Sequence, residues 1–200
     1  VMRNTILKLA RRFDFEEGHS LQDERLALRL FDETARLGLH RLDERPLDAE
    51  KSLTPREILS YAALLHDIGY VQGYDDHHKT AFKLITTEKI QGLSKHDQLL
   101  IALVARYHRG ATANPEKHDA YAALPSSEQR VISRLGAILR FADGLDRSHT
   151  DAVQDLTCAL EGNRLIVTLK PGMNDEDERL AGQKKAHWFE SQFGVRVELR

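Results

Sequence analysis

From about Glu16 to Asp143 the apolar residues recur at three-to-four spacing, and nearly every such run begins or ends on a histidine or an aspartate. That period commits most of the chain to amphipathic helices packed face to face. It also fixes where the metal-ligating side chains sit. The first run carries Leu26, Leu30, Phe31 and Ala35, with His19 in its first turn. Thr54-Pro55-Arg56-Glu57 is a strong helix start, with Thr54 as N-cap, Pro55 at the first helical position and Glu57 completing a capping box. This second helix runs through Leu65 to the adjacent pair His66-Asp67, and Gly69 offers a stop behind it. His77 opens a helix to Ile90. Ser94, with Asp97 three residues on, caps another that ends at Tyr107-His108-Arg109-Gly110. Ser126 or Ser127 starts the last, which delivers Asp143 near its end. Antiparallel packing would gather these alternating starts and ends on one side of a bundle, as bundle proteins do when facing helices build a metal site.

Near Ala152 the pattern changes to period two. Val153–Leu160 and Arg164–Lys170 read as strands joined by a turn at Glu161-Gly162-Asn163. An acidic stretch, Asn174 to Glu178, reads as a solvated loop, followed by a helix from about Arg179 to Phe193 and a terminal strand Val195–Leu199. The expected fold is mainly α: a helical body over residues 1–150, with a small β-β-α-β appendage (α+β) over 151–200. The stretches Arg41–Lys51, Val71–Asp76 and Ala111–Pro125 read as polar connections.

Composition excludes several function classes. Net charge is −2 with 29 basic and 31 acidic residues, so no global field draws a nucleic-acid duplex or an anionic membrane. Cys158 is the single cysteine, which rules out an internal disulfide framework and suits a reducing compartment. No apolar run reaches membrane-spanning length. Val1 to Arg12 lack the layout of a signal peptide. A soluble, cytoplasmic protein is expected.

Histidine and carboxylate ligands without cysteine argue for a hydrolytic site with exchangeable water rather than a structural zinc site. Asp67 is placed to bridge two ions if both sites fill. Lys79 and Arg109, one or two residues from the inner ligands, would neutralise phosphate. His40, His96, His118, His149 and His187 read as surface or core residues. Asp146-Arg147 reads equally as an ion pair at a helix end or as part of the catalytic group, and Cys158 reads as core.

His19, His66-Asp67 and Asp143, in this order, resemble the HD superfamily of metal-dependent phosphohydrolases. The stretches Ala63–Tyr70, His77-His78-Lys79, Val104–Arg109 and Leu139–Arg147 are closer still to the C-terminal HD domain of the exopolyphosphatase/guanosine pentaphosphatase (Ppx/GppA) family. The resemblance implies an HD-type helical bundle with metal ligation by His19, His66, Asp67 and Asp143. His77 and His108 correspond to the histidines that bring in a second ion; His77 is preferred to His78 on its spacing to Ala81. One or two divalent ions (Mn, Fe, Mg, Zn, Ni or Co) are therefore expected as cofactor. The implied activity is hydrolysis of a phosphoester or phosphoanhydride in a nucleotide, alarmone or polyphosphate-like small molecule, by metal-bound hydroxide. Full-length members add an N-terminal actin-like ATPase-fold half that holds the phosphatase site. None of that half lies in these 200 residues, so its named activity does not carry over with the resemblance. The alternative is a non-catalytic nucleotide- or polyphosphate-binding or dimerisation module. On either reading the expected partners are a phosphorylated small molecule and a second copy of the chain as a homodimer. A cyclic-dinucleotide phosphodiesterase is disfavoured, because Arg109-Gly110-Ala111 follows His108 where that branch has Gly-Tyr-Pro.

Overall fold

The computed structural model describes residues 1–44, 53–72, 77–171 and 175–200, with the backbone alone at 71, 72 and 77. Its helices are α1 (Met2–Arg12), α2 (Glu17–Arg36), α3 (Pro55–Leu65), α4 (His77–Thr87), α5 (Lys95–Arg106), α6 (Asp119–Ala122), α7 (Ser126–Gly144), α8 (Glu176–Lys185) and α9 (His187–Phe193). The strands are β1 (Val153–Glu161), β2 (Arg164–Pro171) and β3 (Arg196–Leu199). The fold is mainly helical with a small C-terminal sheet, as the periodicity indicates. Among the described residues no helix is long and apolar enough to cross a membrane.

Local chemistry sets the helix boundaries. The capping box at Thr54 is complete: its side chain accepts from Glu57 N–H while the Glu57 carboxylate accepts from Thr54 N–H. Ser94 accepts from Asp97 N–H at 3.0 Å, and α5 follows. Several expectations need correction. The N-terminal residues form α1, whose Ile6, Leu7, Leu9 and Ala10 are buried. The connection after Gly110 contains the short α6. Residues 68–72 make a 3-10 turn rather than open loop. The rest of the expected Val71–Asp76 loop and most of the Arg41–Lys51 stretch lie outside the described residues. The acidic stretch is no loop where it is described. Glu176, Asp177 and Glu178 form the first turn of α8, where carboxylates complement the helix dipole, and Glu178 is fully buried. Asn174 lies outside the described residues. The single helix expected over Arg179–Phe193 breaks at Ala186. The break lets α9 bury Phe189 and Phe193 while α8 keeps its polar side outward.

The long helices α2, α3, α5 and α7 surround a core of Leu26, Leu30, Leu64, Leu103, Leu135, Ile138 and Phe141, all fully buried. The sheet order is β1-β2-β3: β1 and β2 form an antiparallel hairpin, while β3 pairs parallel to β2 after the α8–α9 crossover. A bulge between Val153 and Asp155 keeps Val153, Leu156 and Cys158 all on the buried face. The sheet is tied to α2. Gln22 donates to the Val153 carbonyl at 2.5 Å, and the Glu33 carboxylate accepts from Cys158 N–H at 2.9 Å. The buried core continues without a break from the helical body into the sheet.

Candidate metal centre

α2 contributes two groups one turn apart, His19 and Asp23, which an i,i+4 spacing puts on one face. α3 ends immediately before His66 and Asp67. α7 brings Asp143 in its last turn and Asp146 just past its end. His19 Nε2 lies 2.9 Å from Asp143 Oδ1, 3.3 Å from Asp23 Oδ2 and 3.6 Å from Asp67 Oδ2. His66 Nε2 lies 3.2, 3.4 and 3.5 Å from the corresponding oxygens of Asp23, Asp67 and Asp143. One ligand atom from each of His19, Asp23, His66 and Asp143 falls within 4.8 Å of all the others, and a second such group joins His66, Asp67 and His108.

The ring orientations are set from behind. His19 Nδ1 is held by Asp146 Oδ2 at 2.7 Å, His66 Nδ1 by the Ala63 carbonyl at 2.6 Å, and His108 Nδ1 by the Ala105 carbonyl at 2.5 Å. A protonated Nδ1 donating to oxygen leaves Nε2 with its lone pair toward the cluster, the arrangement that metal-binding histidines use. Arg140, one turn before Asp143, donates to the Tyr107 and Gly110 carbonyls at 2.9 Å each and so ties the His108 turn to α7.

Electrostatically the cluster is a basin for positive charge. Asp23 is fully buried, and among the described residues neither of its oxygens nor His66 Nε2 has a hydrogen-bond partner. Burial and the neighbouring Asp143 and Asp67 hold the Asp23 carboxyl well above the usual carboxylate range. Burial works against charge on His19, yet its bonds to Asp143 and Asp146 push it up to about 10. His66 is raised in the same way, with burial opposed by Asp67 and Asp143. His108 goes the other way, down to about 3, through burial and the nearby His66. Asp143 goes the opposite way to Asp23: burial opposes its charge, but His19, His66 and Asp23 outweigh it and hold the carboxyl well below the usual range. Carboxylates and imidazole nitrogens gathered in this way fit a divalent cation held by mixed nitrogen and oxygen ligands. Asp23, buried with only loose imidazole contacts and no well-formed hydrogen bond to either oxygen, has the donor atoms such a cation needs.

A cavity of about 300 Å³ opens onto the cluster. His19, Asp67, His108 and Asp143 form its floor, and Arg109, Arg147, Lys184 and Lys185 stand around it. The two lysines come from α8, which approaches α7 closely because Gly144 and Gly182 lack side chains. A Cβ on Gly144 would meet the Ala181 carbonyl and Lys185 at 3.0 Å, and one on Gly182 would meet Leu145 at 2.5 Å. Burial, with Arg140 next, lowers the Lys185 ammonium below its ordinary range.

The structure thus brings together His19, His66, Asp67, His108, Asp143 and Arg109. Lys79 is elsewhere, in a second cavity beside His78, and does not line this one. The His77 side chain lies outside the described residues; the ring of His78 has its centroid 6.5 Å from that of His108. Sequence reasoning overlooked Asp23, although the spacing to His19 was a usable signal. It also set His149 aside, yet that ring stacks on His19 at 3.6 Å and 5° and is tied to Glu16 at 2.5 Å. His149 has φ +57, so only the folded loop after α7 places it there. Asp146 proves to be the partner of His19, while Arg147 faces the cavity.

A family model described as Ppx/GppA phosphatase, domain III, matches residues 1–181. No curated protein matches the chain.

Proposed function

The chain belongs to the Ppx/GppA phosphatase family, through that domain III, and from this premise we propose that it is an HD-type metal-dependent phosphohydrolase acting on a small phosphoester or phosphoanhydride. The observation that carries the reading is the convergence of His19, Asp23, His66 and Asp143 within 4.8 Å beneath a cavity rimmed by cations. Those four residues would hold one divalent ion, and His66, Asp67 and His108 a second. Bound there, a divalent ion supplies Lewis-acid polarisation of a phosphoryl oxygen and acidifies a water. The protein supplies the rest. Asp146 and the Ala63 and Ala105 carbonyls fix the histidine tautomers. Arg109, Arg147, Lys184 and Lys185 orient the phosphate and offset its charge. Asp67 Oδ2, 3.4 Å from His66 Nε2 and 3.6 Å from His19 Nε2, accepts the proton of the attacking water.

The same basic rim supports the alternative, a module that binds a phosphorylated ligand without cleaving it. Chelator-stripped protein supplied with Mn, Ni, Co or Mg and a panel of aryl phosphates and nucleotides separates the two. Turnover that needs metal and disappears in Asp67→Asn supports the hydrolase. Demonstrable metal binding with no turnover on any substrate overturns it and leaves the binding module.

A further inference from the structure

The second cavity, about 420 Å³, shares no described lining residue with the metal cavity. His78 and Lys79 line it from the first turn of α4. Arg106 enters from the last residue of α5, and Lys117 and His118 from the connection that follows. Three full cations therefore face one space, in a chain of net charge −2, and none of the described residues lining it is acidic.

The walls are shaped rather than open. The Arg106 guanidinium lies 5.5 Å from the centroid of the Phe82 ring, which restrains it. His118 Nδ1 accepts from the Tyr107 hydroxyl at 2.8 Å and from Asn114 N–H at 3.2 Å, so in the neutral ring Nε2 carries the proton and is a donor. Gly110, at φ +76, passes so close to His78 that a Cβ there would stand 2.9 Å from Nε2. The buried His78 ring keeps its place in the cavity only because residue 110 has no side chain. Burial, with Arg106 and Lys117 next, lowers His118 below its ordinary range.

We propose that this cavity is a second anion site that takes an oxyanion of the phosphate class, separate from the metal centre. Three cations and a donor imidazole suit the spread charge of phosphate or pyrophosphate better than a single carboxylate.

The test uses metal-stripped protein, so that it does not depend on hydrolysis. Inorganic pyrophosphate is titrated calorimetrically, and the histidine ring resonances are followed by NMR. Lys79 and Lys117 are exposed, so Lys79→Glu and Lys117→Glu should fold normally. Each should weaken pyrophosphate by about tenfold or more, the loss of a charge-assisted contact. The His78 and His118 resonances of the parent protein should move on binding. Lys184→Glu, at the metal cavity, alters any pyrophosphate bound there but should leave the His78 and His118 shifts as in the parent, and Lys170→Glu, on β2 and lining neither cavity, should leave all binding unchanged. The proposal is overturned if no saturable binding occurs, if Lys79→Glu and Lys117→Glu bind as the parent does, or if the His78 and His118 shifts are lost in Lys184→Glu instead.

Discussion

Replacing Asp23 by asparagine should stabilise the metal-free protein and at the same time remove most of the stabilisation that metal confers. The side chain is fully buried, both oxygens are without hydrogen-bond partners among the described residues, and Asp143 and Asp67 stand close by. Asparagine keeps the shape and cannot ionise, so folding no longer has to force a proton onto this carboxyl. Each pKa unit by which the folded carboxyl exceeds the unfolded one costs about 1.4 kcal/mol at neutral pH, and a chain of this size gains about 2–4 °C in Tm per kcal/mol. The stripped variant should therefore melt above the stripped parent by about 2 °C or more. With metal at 100 times its Kd, the parent gains about 2.7 kcal/mol. A lost ligand that weakens binding about 100-fold, the upper end even for outer-shell partners, brings the same concentration to about Kd. The increment then falls to roughly 0.4 kcal/mol, or about 1 °C. Thermal unfolding followed by circular dichroism, with chelator and then with Mn, measures both halves. If stripped Asp23→Asn is less stable than the parent while its metal increment stays at the parent value, Asp23 is a structural residue and the reasoning fails.

Other expectations follow from single contacts. Lys184→Ala with Lys185→Ala should raise KM for a phosphorylated substrate by about tenfold or more, with metal affinity held; an unchanged KM would remove α8 from substrate binding. Gly182→Val should lower Tm by several degrees, since overpacking costs typically about 1–3 kcal/mol and Leu145 stands 2.5 Å from the new Cβ; a neutral result in a melting curve would refute that packing. His40 is held neutral by burial, with Nδ1 accepting from Leu42 N–H and Nε2 donating to the Phe31 carbonyl. Because its folded pKa is depressed, the unfolded chain takes up the proton first. Stability is thus fully present above about pH 6.5 and falls as pH drops below it, by at most about 1.4 kcal/mol per pH unit. Denaturant titrations should show a flatter slope between about pH 6.5 and 5 in His40→Gln, and an identical slope would count against it. Burial pushes the Cys158 thiol up to about 12, so a disulfide reagent at neutral pH should modify it only as fast as the protein unfolds.

What could be read before folding was whatever short-range chemistry controls. The Thr54 and Ser94 caps, the position of His66-Asp67 at the end of α3 and the β1–β2 hairpin all depend on residues within a few positions of one another. Asp23 was readable in principle from the helical spacing to His19, but a carboxylate amid Gln22 and Glu24 looks like a solvated face until α3 and α7 cover it. The role of Asp146 depends on a partner 127 positions away, and that of His149 on a left-handed turn after α7. Lys184 and Lys185 escaped notice because α8 reaches the site only through the close contact at Gly144 and Gly182. Lys79 illustrates the converse: nearness in sequence to a histidine pair suggested the metal site, yet α4 carries it into a different cavity.

The parallel pairing of β3 with β2 bears on when the pocket comes into being. Gln183 of α8 donates to the Val197 carbonyl of β3 at 3.0 Å, and Leu199 lies beside Gly182. The final strand therefore anchors the helix that supplies two of the rim lysines. On a ribosome, every candidate ligand from His19 to Asp143 emerges well before that strand does. A nascent chain paused after α7 would carry the ligands without the phosphate-facing wall, which α8 then builds against α7 and β3 secures from its other side.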